Sequence, residues 1–286
     1  MSKKPNGAEL RQRAVLVEIN LNTWQARTRD TSVASDAGTD AAIGYYVKNL
    51  LDASVMQTIM SEVKSIRREL EAETLPWTPG ARLLPVAKWR EFQDIEAETR
   101  RRWNEMIDRF LDGYESHVKQ QKKALGKFFN ADDYPTRADV RDRFSYSVQY
   151  HPLPSSEDYS ELDIPKRERS YLQRDIEAKI RGFAETAVEK YRSDLRNVCA
   201  KLHEQITNGA YGVRAKSYDY LRDLVDSGDA FNVTGDANLT KAIDLLRDNV
   251  AEIKSSDLRS NDGAKERAVQ AIEKADKLLR MLECLP

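Results

Sequence analysis

Between Pro165 and Asn208 no proline interrupts the chain, and apolar residues recur at Ile176, Ile180, Phe183, Ala187, Tyr191, Leu195, Val198, Leu202 and Ile206. The average step is 3.75 residues, the spacing of one face of an α-helix. A left-handed coiled coil needs a repeat of 3.5, so the spacing predicts a straight or slightly right-handed helix, not a zipper rod. Asn208-Gly209 then reads as its C-terminal cap. A helix with one apolar stripe must cover that stripe, and the rest of the chain has to supply the cover.

Two more helices are predicted upstream. Residues 40–73 carry Ile43, Val47, Leu50, Leu51, Val55, Ile59, Val63, Ile66 and Leu70 at steps of three and four, and Pro76-Trp77-Thr78-Pro79-Gly80 ends the run. Residues 86–126 carry Trp89, Phe92, Ile95, Trp103, Ile107, Phe110, Tyr114, Val118 and Leu125. The middle of this second helix, Glu96 to Arg102, is polar on every side except Ala97, and we expect it to face solvent or a partner. Shorter helices follow at about 214–227, 236–255 and 262–284, separated by Gly228, Gly235 and Asn261-Asp262-Gly263.

Strand signals are few. Val15, Val17, Ile19 and Leu21 sit at alternate positions within 14–22, and Phe144, Tyr146, Val148 and Tyr150 alternate with polar residues up to the turn His151-Pro152-Leu153-Pro154. A lone strand leaves its edge groups unsatisfied, so these two are expected to pair. Leu162 with Ile164, stopped by Pro165, is a weaker third strand. No fixed-period repeat is present, which disfavours a solenoid.

Composition excludes several classes. With 286 residues the chain can bury a core without staples, and two cysteines do not make a disulfide framework. No run of 18 apolar residues exists, and the start, MSKKPNGAELRQR, has no apolar core of a signal peptide. A cytoplasmic protein without a membrane role is expected. Lys+Arg number 46 against 47 Asp+Glu, which rules out a chain built mainly to coat nucleic acid or an anionic membrane.

The residue patterns that carry chemistry have plain structural readings. Cys199 and His203 lie four apart, as two zinc ligands would, but a structural site needs four, and Cys199 borders the apolar stripe. Nucleophilic catalysis needs a nucleophile, a base and an orienting group; with His117, His151 and His203 and no Gly-x-Ser-x-Gly, no such set is assembled in sequence. No phosphate-binding glycine pattern precedes a helix, and Asn208-Gly209-Ala210-Tyr211-Gly212 reads as a hinge. The acidic turns Asp132-Asp133-Tyr134 and Glu157-Asp158-Tyr159 read as solvated caps before they read as cation sites. No catalytic, metal or cofactor residue is therefore assigned, and the protein is expected not to be an enzyme.

Basic runs give the one candidate interaction surface. They are Arg67-Arg68, Arg100-Arg101-Arg102 and Lys166-Arg167, with Trp77, Trp89 and Trp103 as candidate stacking partners for nucleic acid. Each run is flanked by carboxylates, so a solvated helix face is the competing reading.

Three local signatures carry a resemblance. They are Thr74-Leu75-Pro76-Trp77 with Gly80-Ala81-Arg82-Leu83-Leu84-Pro85; Ala124-Leu125-Gly126-Lys127-Phe128-Phe129 with Asp133-Tyr134-Pro135; and Phe231-Asn232-Val233-Thr234-Gly235-Asp236 with Leu239 and Asp257-Leu258-Arg259. In this order, from about residue 14 to the C-terminus, they resemble a family of uncharacterised phage and bacterial proteins. Genes of that family often lie near those of MoxR- or CobS-like AAA+ ATPases and von Willebrand A-type proteins. The resemblance implies a phage or prophage origin and a AAA+ ATPase as partner; it implies no activity for any residue. Read physically, 75–85 is a buried connector with a tight turn at Gly80, Gly126 a helix cap before the anchoring pair Phe128-Phe129, and Asp236 an N-cap preceded by Gly235 in positive φ.

The expected fold is mainly α. It is an elongated antiparallel bundle of long helices with a small antiparallel β-sheet at one end and a C-terminal helical subdomain. The expected divisions are a disordered tail over 1–13, the bundle with its sheet over 14–208, and the subdomain over 209–286. The expected function is that of a non-enzymatic interaction protein, an adaptor or substrate selector for a MoxR-like AAA+ ATPase. The alternatives are a nucleic-acid-associated phage protein using basic helix faces, or a host-defence-inhibiting or virion component. Homo-oligomerisation through remaining apolar surface is also compatible with this pattern.

Overall fold

The structure is a computed structural model and describes residues 7–30, 46–160, 163–208, 213–254 and 256–281. It is mainly helical with a small sheet. In chain order the elements are α1 (Gly7–Arg13), β1 (Ala14–Asn22), β2 (Arg27–Asp30), β3 (Tyr46–Asn49), α2 (Ala53–Ala72), β4 (Leu75–Thr78), β5 (Ala81–Pro85), α3 (Trp89–Leu125), α4 (Arg137–Arg141) and β6 (Ser145–His151). Then come α5 (Lys166–Thr207), α6 (Ala215–Phe231), α7 (Ala237–Leu246), a π-turn over Arg247–Ala251, α8 (Asp257–Ser260) and α9 (Asp262–Arg280).

The four-stranded sheet has the order β4-β5-β1-β6, so the two strands read from alternation are neighbours in it, as expected. The other two strands come from the segment expected to be a connector. Leu75 lies opposite Leu83 and Pro76 opposite Arg82 in an antiparallel hairpin, turned at Gly80 with φ of +90°. β4 forms an edge of the sheet, the position where a proline costs no ladder hydrogen bond.

The helix expected from residue 40 starts later. Tyr46–Asn49 is a strand, paired antiparallel with Arg27–Asp30, and Asp52 caps α2 by accepting from the Ser54 amide at 2.8 Å. Leu50 and Leu51 are buried, which is why their spacing mimics a helical stripe. Residues 40–45 lie outside the described residues, as do residues 209–212 of the expected hinge. So does Leu162 of the weak third strand, whose other member, Ile164, sits in a bend. Residues 7–13, expected within a disordered tail, form α1, and Leu10 on it is buried.

The chain divides into two compact units that interleave in sequence. The first comprises residues 1–17, 74–90 and 150–286. In it α5 buries Ile180, Ala184, Ala187, Tyr191, Leu195, Val198 and Leu202 against α6, α9 and β4. The long helix and the C-terminal helices therefore share one core. The second unit comprises residues 18–73 and 91–149. Its buried residues include Ile59, Val63, Ile66 and Leu70 of α2 and an aromatic cluster in which Phe110 meets Trp24, Tyr114 and Phe144 at centroid distances of 6.5, 6.1 and 5.8 Å. Among the described residues no helix is long and apolar enough to cross a membrane.

Candidate interaction surfaces

The arginines of the central run do not form a common basic face. Arg102 reaches from α3 to α2, 2.9 Å from Glu62 and 2.6 Å from Glu69, and is only about a quarter exposed. Arg101 is clamped between Glu98, at 2.6 Å, and Glu105 on its own helix. Arg100 pairs with Glu96 at 2.7 Å and lies over the Tyr146 ring at 4.4 Å. Arg67 donates to the Ile19 carbonyl at 3.2 Å and lies 3.8 Å from Glu71, while Arg68 beside it is exposed. Lys166 and Arg167 are exposed in the first turn of α5. Arg67, Arg100, Arg101 and Arg102 thus have carboxylates of this chain beside them, which weakens their pull on a polyanion. The polar middle of α3 is not wholly solvated either: Thr99 is fully buried, its hydroxyl 2.9 Å from that of Tyr146.

The tryptophans divide three ways. Trp103 is buried in the aromatic core, and Trp77 packs on Phe183 at 5.4 Å. Trp89 is different. It opens α3, is 39% exposed, and its ring meets Tyr150 at 4.9 Å. Val86, three residues earlier in a 3-10 turn, is 48% exposed, and a spacing of three places both side chains on one face. Leu83 and Leu84 just before them are fully buried, so the exposed pair follows directly on a core-anchored strand.

The residues weighed as metal ligands play structural parts. Cys199 is buried in the first unit's core, and burial pushes its thiol up to about 12. His203, a third exposed, faces Glu273 at 3.4 Å. Among the described residues no group of three or more His, Cys, Asp or Glu is placed to hold a metal ion. The buried thiol makes a direct prediction. Alkylation of Cys199 at about pH 8 should be at least about a hundredfold slower in the native protein than in denaturant, because only the thiolate reacts. Peptide mapping by mass spectrometry reads this site separately from Cys284.

Of the two acidic turns, the one at Glu157-Asp158-Tyr159 is a cap, whereas at Asp132-Asp133-Tyr134 the capping side chain is that of Asn130. Ser155 and Asp158 form a capping box, with the Ser155 amide donating to Asp158 at 2.7 Å and the Glu157 amide donating to Ser155 at 3.0 Å. Asp133 has another task, unseen in the sequence. Lys48 on β3 has a side chain only 3% exposed, and its Nζ lies 2.5 Å from Asp133 and 3.1 Å from Asp30 while donating to the Phe128 carbonyl at 3.1 Å. This node ties the β2–β3 ribbon to the loop after α3.

A second buried ion pair lies in the first unit. Arg192 on α5 pairs with Asp236, the residue that caps α7 by accepting from the Asn238 and Leu239 amides at 2.8 and 3.2 Å. Gly235 before it has φ of +67°, as its position ahead of a cap requires. A cleft of about 560 Å³ lies beside the π-turn, lined by Tyr218, Arg222, Asp226, Arg247, Glu252 and Lys254 among others. Two of its groups have partners in this chain: Arg247 pairs with Asp229 and Asp244, each at 2.9 Å, and the Tyr218 hydroxyl donates to the Ala251 carbonyl at 2.9 Å. Positive and negative side chains thus alternate around this groove.

Comparison of the chain with protein-family models, curated proteins and solved structures finds no match.

Proposed function

We propose that this chain is a non-enzymatic interaction protein that docks on a protein partner through Val86, Trp89 and Tyr150. The observation that carries this reading is the Trp89–Tyr150 pair, partly exposed and set just beyond buried β5. A half-exposed indole beside a valine is costly to leave in water, and tryptophan dominates the binding energy of protein interfaces when a partner covers it. The resemblance to phage and bacterial proteins encoded near AAA+ ATPases points to a MoxR-like ATPase as that partner, with this chain as adaptor or substrate selector in a host-cell cytoplasm.

The test is titration of a purified MoxR-like ATPase from the same genome with this protein, read by calorimetry and by ATPase rate. Trp89→Ala should weaken binding by about thirtyfold, the effect of losing about 2 kcal/mol at an interface hot spot. Its melting temperature should stay close to that of the parent, because the ring is not core. Absence of binding together with an unchanged ATPase rate would remove this partner.

A further inference from the structure

We infer that a second surface, on the unit that holds α2 and α3, binds single-stranded nucleic acid through Lys119, Lys122, Lys123, Lys127 and Phe128. It goes beyond the protein-docking reading and rests on different residues. Between Glu115 and Asp132 the sequence has four lysines and no carboxylate. All four lysines are exposed. Among the described residues none of them makes an ion pair, in contrast to Arg100, Arg101 and Arg102. Lys119, Lys122 and Lys123 are related by steps of three and four, so they share a face of α3, turned away from the stripe of Trp103, Ile107, Phe110 and Tyr114. From Lys119 to Lys127 the patch spans about 12 Å at the rise of a helix.

The aromatic component is what commits the patch to unpaired bases. Gly126, with φ of +54°, turns the chain out of α3, and Phe128 follows, 40% exposed. Lys127 lies 5.0 Å above the Phe128 ring and Lys122 lies 5.3 Å from that of Phe129, which is itself stacked on Tyr134 at 5.0 Å. The loop is held in place, because the buried Lys48 donates to the Phe128 carbonyl at 3.1 Å. A fixed, exposed ring among uncompensated cations matches a strand whose bases offer π-faces and whose phosphates offer charge; a duplex hides those faces, and a lipid headgroup offers none.

Fluorescence anisotropy of the full chain with labelled oligo(dT) and oligo(rU) of about 20 nucleotides tests this. Binding is expected at about 50 mM salt and should weaken steeply towards about 200 mM. Joint replacement K119Q, K122Q, K123Q and K127Q should reduce the slope of log affinity against log salt by about three, at roughly 0.7 for each phosphate that a lysine neutralises on a single strand. Phe128→Ala should weaken binding by about fivefold or more while leaving the salt slope unchanged. Arg101→Gln should leave both unchanged. All these side chains are exposed, so equal melting curves check that the variants are folded. No binding to either oligonucleotide overturns the proposal. So does binding that the lysine variant leaves intact, or capture by phosphatidylserine vesicles without capture of the oligonucleotides. Loss with the lysine variant and none with Phe128→Ala overturns the assignment to single strands.

Discussion

Asp236→Ala is expected to destabilise the first unit by about 4 kcal/mol, far more than a helix cap alone. Losing a cap costs about 1 kcal/mol, because two amides at the start of α7 lose their acceptor. The larger part comes from Arg192, whose side chain is only 8% exposed and whose charge Asp236 neutralises. A stranded buried charge costs about 3–5 kcal/mol. Burial already lowers the Arg192 pKa, the direction expected for a desolvated guanidinium, although Glu189 on the same helix partly offsets this. Asp236→Asn keeps an oxygen for the Asn238 and Leu239 amides but not the charge, so its cost should fall only by the share of the cap, to about 3 kcal/mol. Adding Arg192→Met to Asp236→Asn should recover most of that loss, since removing both charges of a buried pair is often close to neutral. Urea denaturation followed by circular dichroism measures all three, with the midpoint moving and the slope constant. Equal losses in Asp236→Ala and Asp236→Asn would show that charge, and not capping, dominates; a small loss in both would show that Arg192 finds another partner.

This cap was legible in the sequence, and its ion pair was not. Gly235-Asp236 ahead of an apolar run announces a helix start from local chemistry alone, whereas Arg192 is brought to it by packing of α5. The same division runs through the fold. The α5 stripe is readable because one side of a helix meets a core at every turn, and β1 and β6 because alternate residues do. Where burial surrounds a segment, periodicity misleads: Leu50 and Leu51 are both buried just before α2 and continue its spacing, although the chain there has left strand β3 and not yet entered the helix. The β4–β5 hairpin was obscured by Pro76, which sequence rules treat as a breaker and an edge strand tolerates.

Charge runs mislead for a different reason. Sequence shows that Arg100, Arg101 and Arg102 are adjacent, but not that Glu62 and Glu69, more than thirty residues earlier, wait opposite Arg102. The lysine run after Glu115 carried the better signal, an absence of carboxylates over the same stretch, and simple counting by sign would have found it. Trp89 could not be separated from Trp103 by position, since both fall at apolar spacings; only burial distinguishes them.

The node at Lys48 carries the other large effect. Lys48→Met should cost about 3–5 kcal/mol, because it leaves Asp30 and Asp133, 11% and 20% exposed, without the cation that neutralises them. Combining it with Asp30→Asn and Asp133→Asn should return most of the stability, which separates charge stranding from loss of packing. The pH dependence has a definite sign. Burial alone lowers the Lys48 pKa, but hydrogen bonds and charge from Asp133 and Asp30 outweigh it and hold the amine above its ordinary 10.5. A raised folded-state pKa stabilises fully below the unfolded value, and that stabilisation is lost as pH rises through the folded one. The difference between parent and Lys48→Met in urea midpoint should therefore be level from neutral pH to about 10 and shrink only above it. A difference that already shrinks near neutral pH would mean that Lys48 is not charged in the folded protein. Because Lys48 also holds the Phe128 carbonyl, Lys48→Met should loosen the loop after α3, and amide hydrogen exchange at Phe128 and Phe129 should accelerate by more than the global loss of stability accounts for.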